Sequence, residues 1–235
     1  MIDSIIPLLS LIALEVILGI DNIIFISILS DKLPEHQRNK LRFWGIGLAM
    51  LIRLLLLAFI SWILKLDQTL FSAFGIDFSG KSLILILGGL FLLYKSTIEI
   101  YQKSEIKKEE NVTDIKTNNF KKLLLEVVLL DIVFSIDSII TAVGMVQELW
   151  IMYTSVIVTV VIMLIASKPI SNFIKQHPSF KILALCFLMM IGVSLLAEGF
   201  QFKIPKGYIY FSMAFAFLVD IIQMRTVHHS STNTK

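Results

Sequence analysis

The sequence predicts an all-α membrane protein: seven transmembrane helices, built as two inverted three-helix repeats plus a seventh helix, with the N-terminus outside and the C-terminus inside. Three observations predict it. Hydrophobic residues make up 56% of the 235 residues, and the mean hydropathy is +0.82, above what soluble domains carry. The apolar residues gather into runs close to the ~20 needed to cross a bilayer. A single charged stretch then divides the chain into halves that repeat one another.

Seven runs are read, at 5–29, 43–63, 83–101, 123–147, 150–167, 182–201 and 207–224. The N-terminus has no basic region and no small-residue cleavage site, so it reads as a first span rather than a signal peptide. The charged stretch is QKSEIKKEENVTDIKTNNFKK, residues 102–122. It lacks apolar periodicity and reads as a cytoplasmic linker. The expected organisation is a first repeat at 1–101, the linker at 102–122, a second repeat at 123–201, and a seventh helix with a short cytoplasmic tail at 202–235. Basic residues set the orientation. With the N-terminus outside, fifteen Lys and Arg fall on inner segments and four (Lys65, Lys81, Lys203 and Lys206) on outer loops. The net charge of +3 is thus membrane-surface charge and gives no argument for nucleic acid. The one cysteine, Cys186, rules out an internal disulfide and a cysteine-based metal cluster.

The repeat rests on two pairs of segments. LEVILGIDN (14–22) aligns with LDIVFSIDS (130–138), which matches Glu15 with Asp131, Asp21 with Asp137 and Asn22 with Ser138. GLFLLYK (89–95) aligns with GVSLLAE (192–198). Three spans per half is an odd number, so the second copy crosses in the opposite sense. That is the inverted-repeat logic of transporters with midplane sites.

The four acids all fall within roughly 10 Å of the midplane at about 1.5 Å per residue. A mid-membrane carboxylate costs at least about 2.5 kcal/mol. Arg53 lies mid-span and stays charged, so it takes one acid as partner, which leaves acids over. The functional reading is a cation or proton site formed by Glu15, Asp21, Asn22, Asp131, Asp137 and Ser138. Arg53, Lys95 and Glu198 are the charge-compensating or gating candidates. The structural alternative is that the acids merely neutralise Arg53 and Lys95. Glu15 and Asn22 share a helical face, whereas Asp21 sits about 100° round from Asn22. A helix break at Gly19, and at Ser135 in the second half, would redirect the aspartates and free backbone carbonyls.

Oxygen ligands suit Mg²⁺, Ca²⁺ and Mn²⁺. No histidine lies within a span, which disfavours copper and, less firmly, zinc. Met145 or Met189 would tilt the choice toward manganese, although methionine in an apolar span is usually packing. Glu99, Glu126 and Asp220 read as solvated residues near span ends. Enzyme chemistry is not expected, because no nucleophile–base pair, phosphate loop or hydrolase spacing is present.

LEVILGIDN with ISILSDKLPEHQRNKLRFWGIG, and LLDIVFSIDSIITAVGM in the second half, resemble the TerC family over about 5–224. This is a family of bacterial membrane proteins linked to tellurium resistance and grouped with LysE-type exporters. The chain looks like a short, membrane-only member. The resemblance implies a multi-pass protein of the bacterial plasma membrane. It also implies seven spans and export of manganese or a similar divalent ion. No permanently bound cofactor is expected, and the mid-membrane acids admit protons as a counter-ion. Ser138 stands where the first copy has Asn22, which bears on the choice of metal. Two other readings stay open. One is an exporter of another small solute. The other is a membrane scaffold in a metal, tellurite or envelope stress response, with a cytoplasmic partner at 102–122.

Overall fold

The computed structural model describes residues 2–73, 75–105, 120–146, 148–202 and 204–232. The chain order is α1 (Ile2–Ser30), α2 (Glu35–Ala58), α3 (Ile60–Lys65), β1 (Thr69–Ala73), β2 (Ile76–Ser79), α4 (Gly80–Glu105), α5 (Phe120–Met145), α6 (Leu149–Gln176), α7 (Pro178–Gly199) and α8 (Lys206–Thr232). Local chemistry sets several of these boundaries. Pro34 precedes α2, and Pro178 opens α7, where a missing N–H costs nothing.

α1 is the centre of the bundle. Residues 21–30 are buried all round, and α6 is its main neighbour. α2 packs on α5 and α6, and α4 packs on α7. The outward faces are apolar: Leu87, Ile165, Phe211 and Phe215 are each more than 60% exposed. A water-soluble surface does not carry so many, whereas lipid accepts them.

The expected seven membrane-crossing helices are not found. The described residues form eight helices, and five are long and apolar enough to cross: Ser4–Ser30, Glu35–Ala58, Gly80–Gln102, Leu149–Gln176 and Ser179–Gly199. The runs at 123–147 and 207–224 are the two that fall away. α5 carries Glu126, Asp131 and Asp137, all buried, and α8 begins at Lys206 and contains Asp220. Both runs are expected as spans with Asp131 and Asp137 inside one and Asp220 near the end of the other, and this charge load weighs against both as crossing helices. The run at 43–63 is also divided: α2 ends at Ala58, Phe59 caps it, and the short α3 follows. The all-α membrane architecture stands, with one addition. Residues 69–79 form a small antiparallel hairpin, β1 on β2, and Gly75 turns it at a φ of +77° that L side chains rarely adopt.

α1 runs unbroken through Gly19 and α5 through Ser135, so the expected helix breaks are absent. Gly19 serves packing instead: a Cβ there would lie 2.8 Å from the Met163 sulfur. The linker expected at 102–122 is narrower, since α4 continues to Glu105 and α5 begins at Phe120. Residues 106–119 of it lie outside the described residues.

Gly89 and Gly192, matched in the sequence repeat, face each other where α4 crosses α7. A Cβ on Gly89 would meet the Gly192 carbonyl oxygen at 2.7 Å, and one on Gly192 would meet the Gly89 oxygen at 3.1 Å. Small residues permit such backbone approach. Gly89→Val is expected to separate α4 from α7 at a cost of about 1–3 kcal/mol or more. Size-exclusion of detergent-extracted protein would show this as lost monodispersity. Gly47→Ala, which meets nothing within 4 Å, serves as the neutral control.

Candidate functional site

The acidic constellation divides into two adjoining groups, and the turn of α1 explains the division. Glu15 and Asn22 lie seven residues apart on one face, and there Glu15 meets Arg53 of α2 while Asn22 meets Asp131 of α5. The Arg53 guanidinium donates to Glu15 Oε2 at 2.7 Å and to Asp131 Oδ1 at 3.0 Å. Asn22 Nδ2 donates to the same Asp131 oxygen at 3.1 Å. The Ser135 hydroxyl donates to Asp131 Oδ2 at 3.1 Å. Every member is buried. Arg53 was expected to take one carboxylate and takes two, one from each half of the chain.

Asp21 is rotated off that face and needs no helix break to reach a different neighbourhood. With Asp137 and Ser138 it lines a cavity of about 30 Å³. Arg53 forms part of the wall, and α7 and α8 close it through Ser194, Lys206 and Tyr210. Asp21 is 4% exposed. Among the described residues no hydrogen bond or ion pair reaches its carboxylate. The Ser138 hydroxyl donates to the Ser135 carbonyl at 3.2 Å, and the Thr141 hydroxyl to the Asp137 carbonyl at 2.9 Å. Their oxygens retain lone pairs.

Two lysines complete the site, and sequence reasoning missed both. Lys206 Nζ pairs with Asp137 Oδ2. Lys81 Nζ lies 3.1 Å from Glu198 Oε1 and 3.7 Å from Asp137 Oδ1. The sequence count placed these lysines in outer loops. The available signal was that they and Glu198 sit at corresponding helix ends, α4 and α8 starting where α7 stops. A second cavity, about 710 Å³, adjoins the first and shares Leu18, Lys206 and Tyr210 with it. This vestibule lies at the hairpin end, beside Glu198 and Pro205.

Lys95 is not brought to the constellation. It donates to Glu126 Oε1 at 2.6 Å and sits 5.7 Å above the Phe91 ring. Nearby, Lys32 pairs with Glu99. Glu99 and Glu126, expected to be solvated, are each 7% exposed and held by lysines. Burial is the main cause that lowers the Lys32 ammonium below its ordinary pKa, and the Lys95 charge adds to it. Neither Met145 nor Met189 lines the cavity. Among the described residues no three His, Cys, Asp or Glu side chains converge as a ready metal cradle. The ion pairs supply the reason: Arg53 draws Glu15 and Asp131 aside, and Lys206 draws Asp137.

An apolar multi-helix bundle with buried acids repeated in both halves invites comparison with known membrane proteins. The chain matches the profile of the integral membrane protein TerC family over residues 2–235. This chain belongs to the TerC family. It is 49% identical to a UPF0053 protein of Haemophilus influenzae over 222 residues, which covers 94% of this chain and 93% of the relative. It is 44% identical over 229 residues to the UPF0053 inner membrane protein YoaE of Escherichia coli, with 96% of this chain and 44% of that protein covered. Against the UPF0053 protein YegH of E. coli the identity is 47% over 220 residues, with 94% and 42% covered. The chain thus spans less than half the length of these two E. coli relatives. No solved structure matches it. This TerC family member is a multi-pass integral protein of the bacterial inner membrane, with several apolar helices around a charged interior.

Proposed function

We propose that this protein is a transporter that exports a divalent metal ion, manganese first, through the cavity between Asp21 and Asp137, with protons as the counter-ion. One observation carries the reading: Asp21 is a buried carboxylate without a partner among the described residues, and it lines a cavity that also presents Asp137 and Ser138. A mid-membrane acid left unpaired is a functional residue by default.

Charge balance supports a divalent ion. Glu15, Asp21, Asp131 and Asp137, when ionised, face two cations, Arg53 and Lys206; Lys81 and Glu198 cancel. Two negative charges remain in a low-dielectric interior. One divalent cation neutralises them, and so do two protons. Exchange of one for the other gives an antiporter in which neither loaded state is highly charged. The oxygen donors suit a hard cation such as Mn²⁺. Size supports the same class. At ~10–15 Å³ per water, about 30 Å³ beside Asp21 and Asp137 admits an ion and little else, so a larger solute would stop in the vestibule of about 710 Å³, where the charged wall is Glu198 and Lys206. Export is the direction that the LysE-type resemblance favours.

The test is Mn²⁺-driven proton movement in proteoliposomes, read with an entrapped pH dye. About two protons per ion are expected from the charge balance. Mn²⁺ flux without proton movement would remove the antiport, and no Mn²⁺ flux at all would remove the metal.

A further inference from the structure

We propose that Lys206 is a built-in competitor for the transported cation. Its ammonium occupies Asp137 in the empty protein and moves onto Glu198 when a divalent ion enters. The inference deepens the transport reading and rests on it for the identity of the incoming ion.

Four observations carry it. The Lys206 ammonium pairs with Asp137 Oδ2, one of the two carboxylates that line the cavity. A second acceptor is already within reach, since Glu198 Oε2 lies 3.9 Å from the same nitrogen. Lys206 is also a wall of both the cavity and the vestibule, so its side chain stands where the two meet. Finally, it is far less enclosed than its partner: the Lys206 side chain is 32% exposed and that of Asp137 is 5%. An ammonium at the wet edge of a buried carboxylate can leave without unpacking the bundle. On the other side of the cavity, among the described residues no ion pair reaches Asp21, and the nearby Arg53 is held by Glu15 and Asp131.

The physical consequence is a site that never stands empty of charge. Without Lys206, Asp21 and Asp137 would repel one another across about 30 Å³ of enclosed space. With it, an incoming ion binds only by winning Asp137 from a tethered rival. A monovalent ion brings no more charge than the ammonium it must displace, and a divalent ion does. Lys206 therefore sets selectivity by charge and keeps affinity low enough for release. Lys81, held mainly by Glu198 at 3.1 Å, positions the acceptor to which Lys206 retreats.

The experiment has two arms on the detergent-purified full chain. The first measures Mn²⁺ affinity by isothermal titration. Lys206→Gln is expected to bind Mn²⁺ roughly tenfold more tightly or better, since one repelling charge is gone, and to lose discrimination against Na⁺. Lys206→Arg, which keeps the charge, is expected to return affinity toward the wild type. Unchanged or weaker Mn²⁺ binding by Lys206→Gln would overturn the proposal. The second arm is metal-free: thermal unfolding of Lys206→Gln, Asp137→Asn and the double variant. Non-additive effects are expected for a pair in contact, and strict additivity would overturn the pairing. This arm keeps two failures apart. A wild type that binds no Mn²⁺ while coupling persists sinks the transport reading and the displacement with it. Absent coupling with intact Mn²⁺ binding sinks only the role of Lys206.

Discussion

Replacing Arg53 by methionine is expected to remove folded protein from the membrane. Arg53 is 3% exposed and bridges Glu15 of α1 to Asp131 of α5. Methionine fills much of the volume but leaves two buried carboxylates within reach of each other and without a cation. Breaking a buried pair by removing one partner typically costs about 3–5 kcal/mol, and here two acids lose their cation at once, Asp131 keeping only the neutral donors Asn22 and Ser135. Lysine is not an adequate substitute, because the planar guanidinium donates to both acids in fixed directions. The control is the triple variant Arg53→Met, Glu15→Gln, Asp131→Asn, which removes the orphaned charges and is expected to recover much of the folded yield. The measurement is the monodisperse fraction after detergent extraction. Equal yields for wild type and Arg53→Met would contradict the structural role assigned to the bridge.

Asp21→Asn is expected to do the opposite to stability. Asp21 is buried, and no partner among the described residues offsets its desolvation. An amide of the same shape carries no charge to desolvate, so the variant is expected to unfold at a temperature equal to or above that of the wild type. At the same time Mn²⁺ should no longer raise its unfolding temperature, whereas in wild type saturating metal contributes by mass action, about 2.7 kcal/mol at a hundredfold excess over Kd. A residue that costs stability and is needed only with ligand present is a functional residue. A destabilised Asp21→Asn with normal metal response would make Asp21 structural.

The sequence made the helices and the acids legible for the same reason. Apolar runs of bilayer length are visible without tertiary information, and a carboxylate within one is conspicuous. The repeat alignment matches Glu15 with Asp131 and Asp21 with Asp137 and suggests one shared cavity for all four; instead the first two meet at Arg53 and only the second two line the cavity. The number of crossing helices was not legible. Charges in α5 and α8 weigh against membrane insertion by composition, and that weight depends on what buries them. The cations at the cavity mouth were hidden too. Lys206 lies 69 residues from Asp137 along the chain, and in sequence a lysine beside Pro205 reads only as loop charge. The hairpin at 69–79 falls between the second and third apolar runs, where LFSAFGIDFS is too short to show a strand period clearly. Gly19 and Ser135 precede the aspartates and so suggest break points, but Gly19 answers to the sulfur of Met163 on α6, which no local pattern encodes.

The central claim is that the Asp21–Asp137 cavity carries a divalent ion across the membrane. The most direct measurement is Mn²⁺ flux into proteoliposomes that hold wild type or Asp21→Asn at matched protein density, each shown to be folded. Rapid flux in wild type and flux at the protein-free baseline in Asp21→Asn is the predicted result. Equal flux in the two, or none in a folded wild type, would contradict the account.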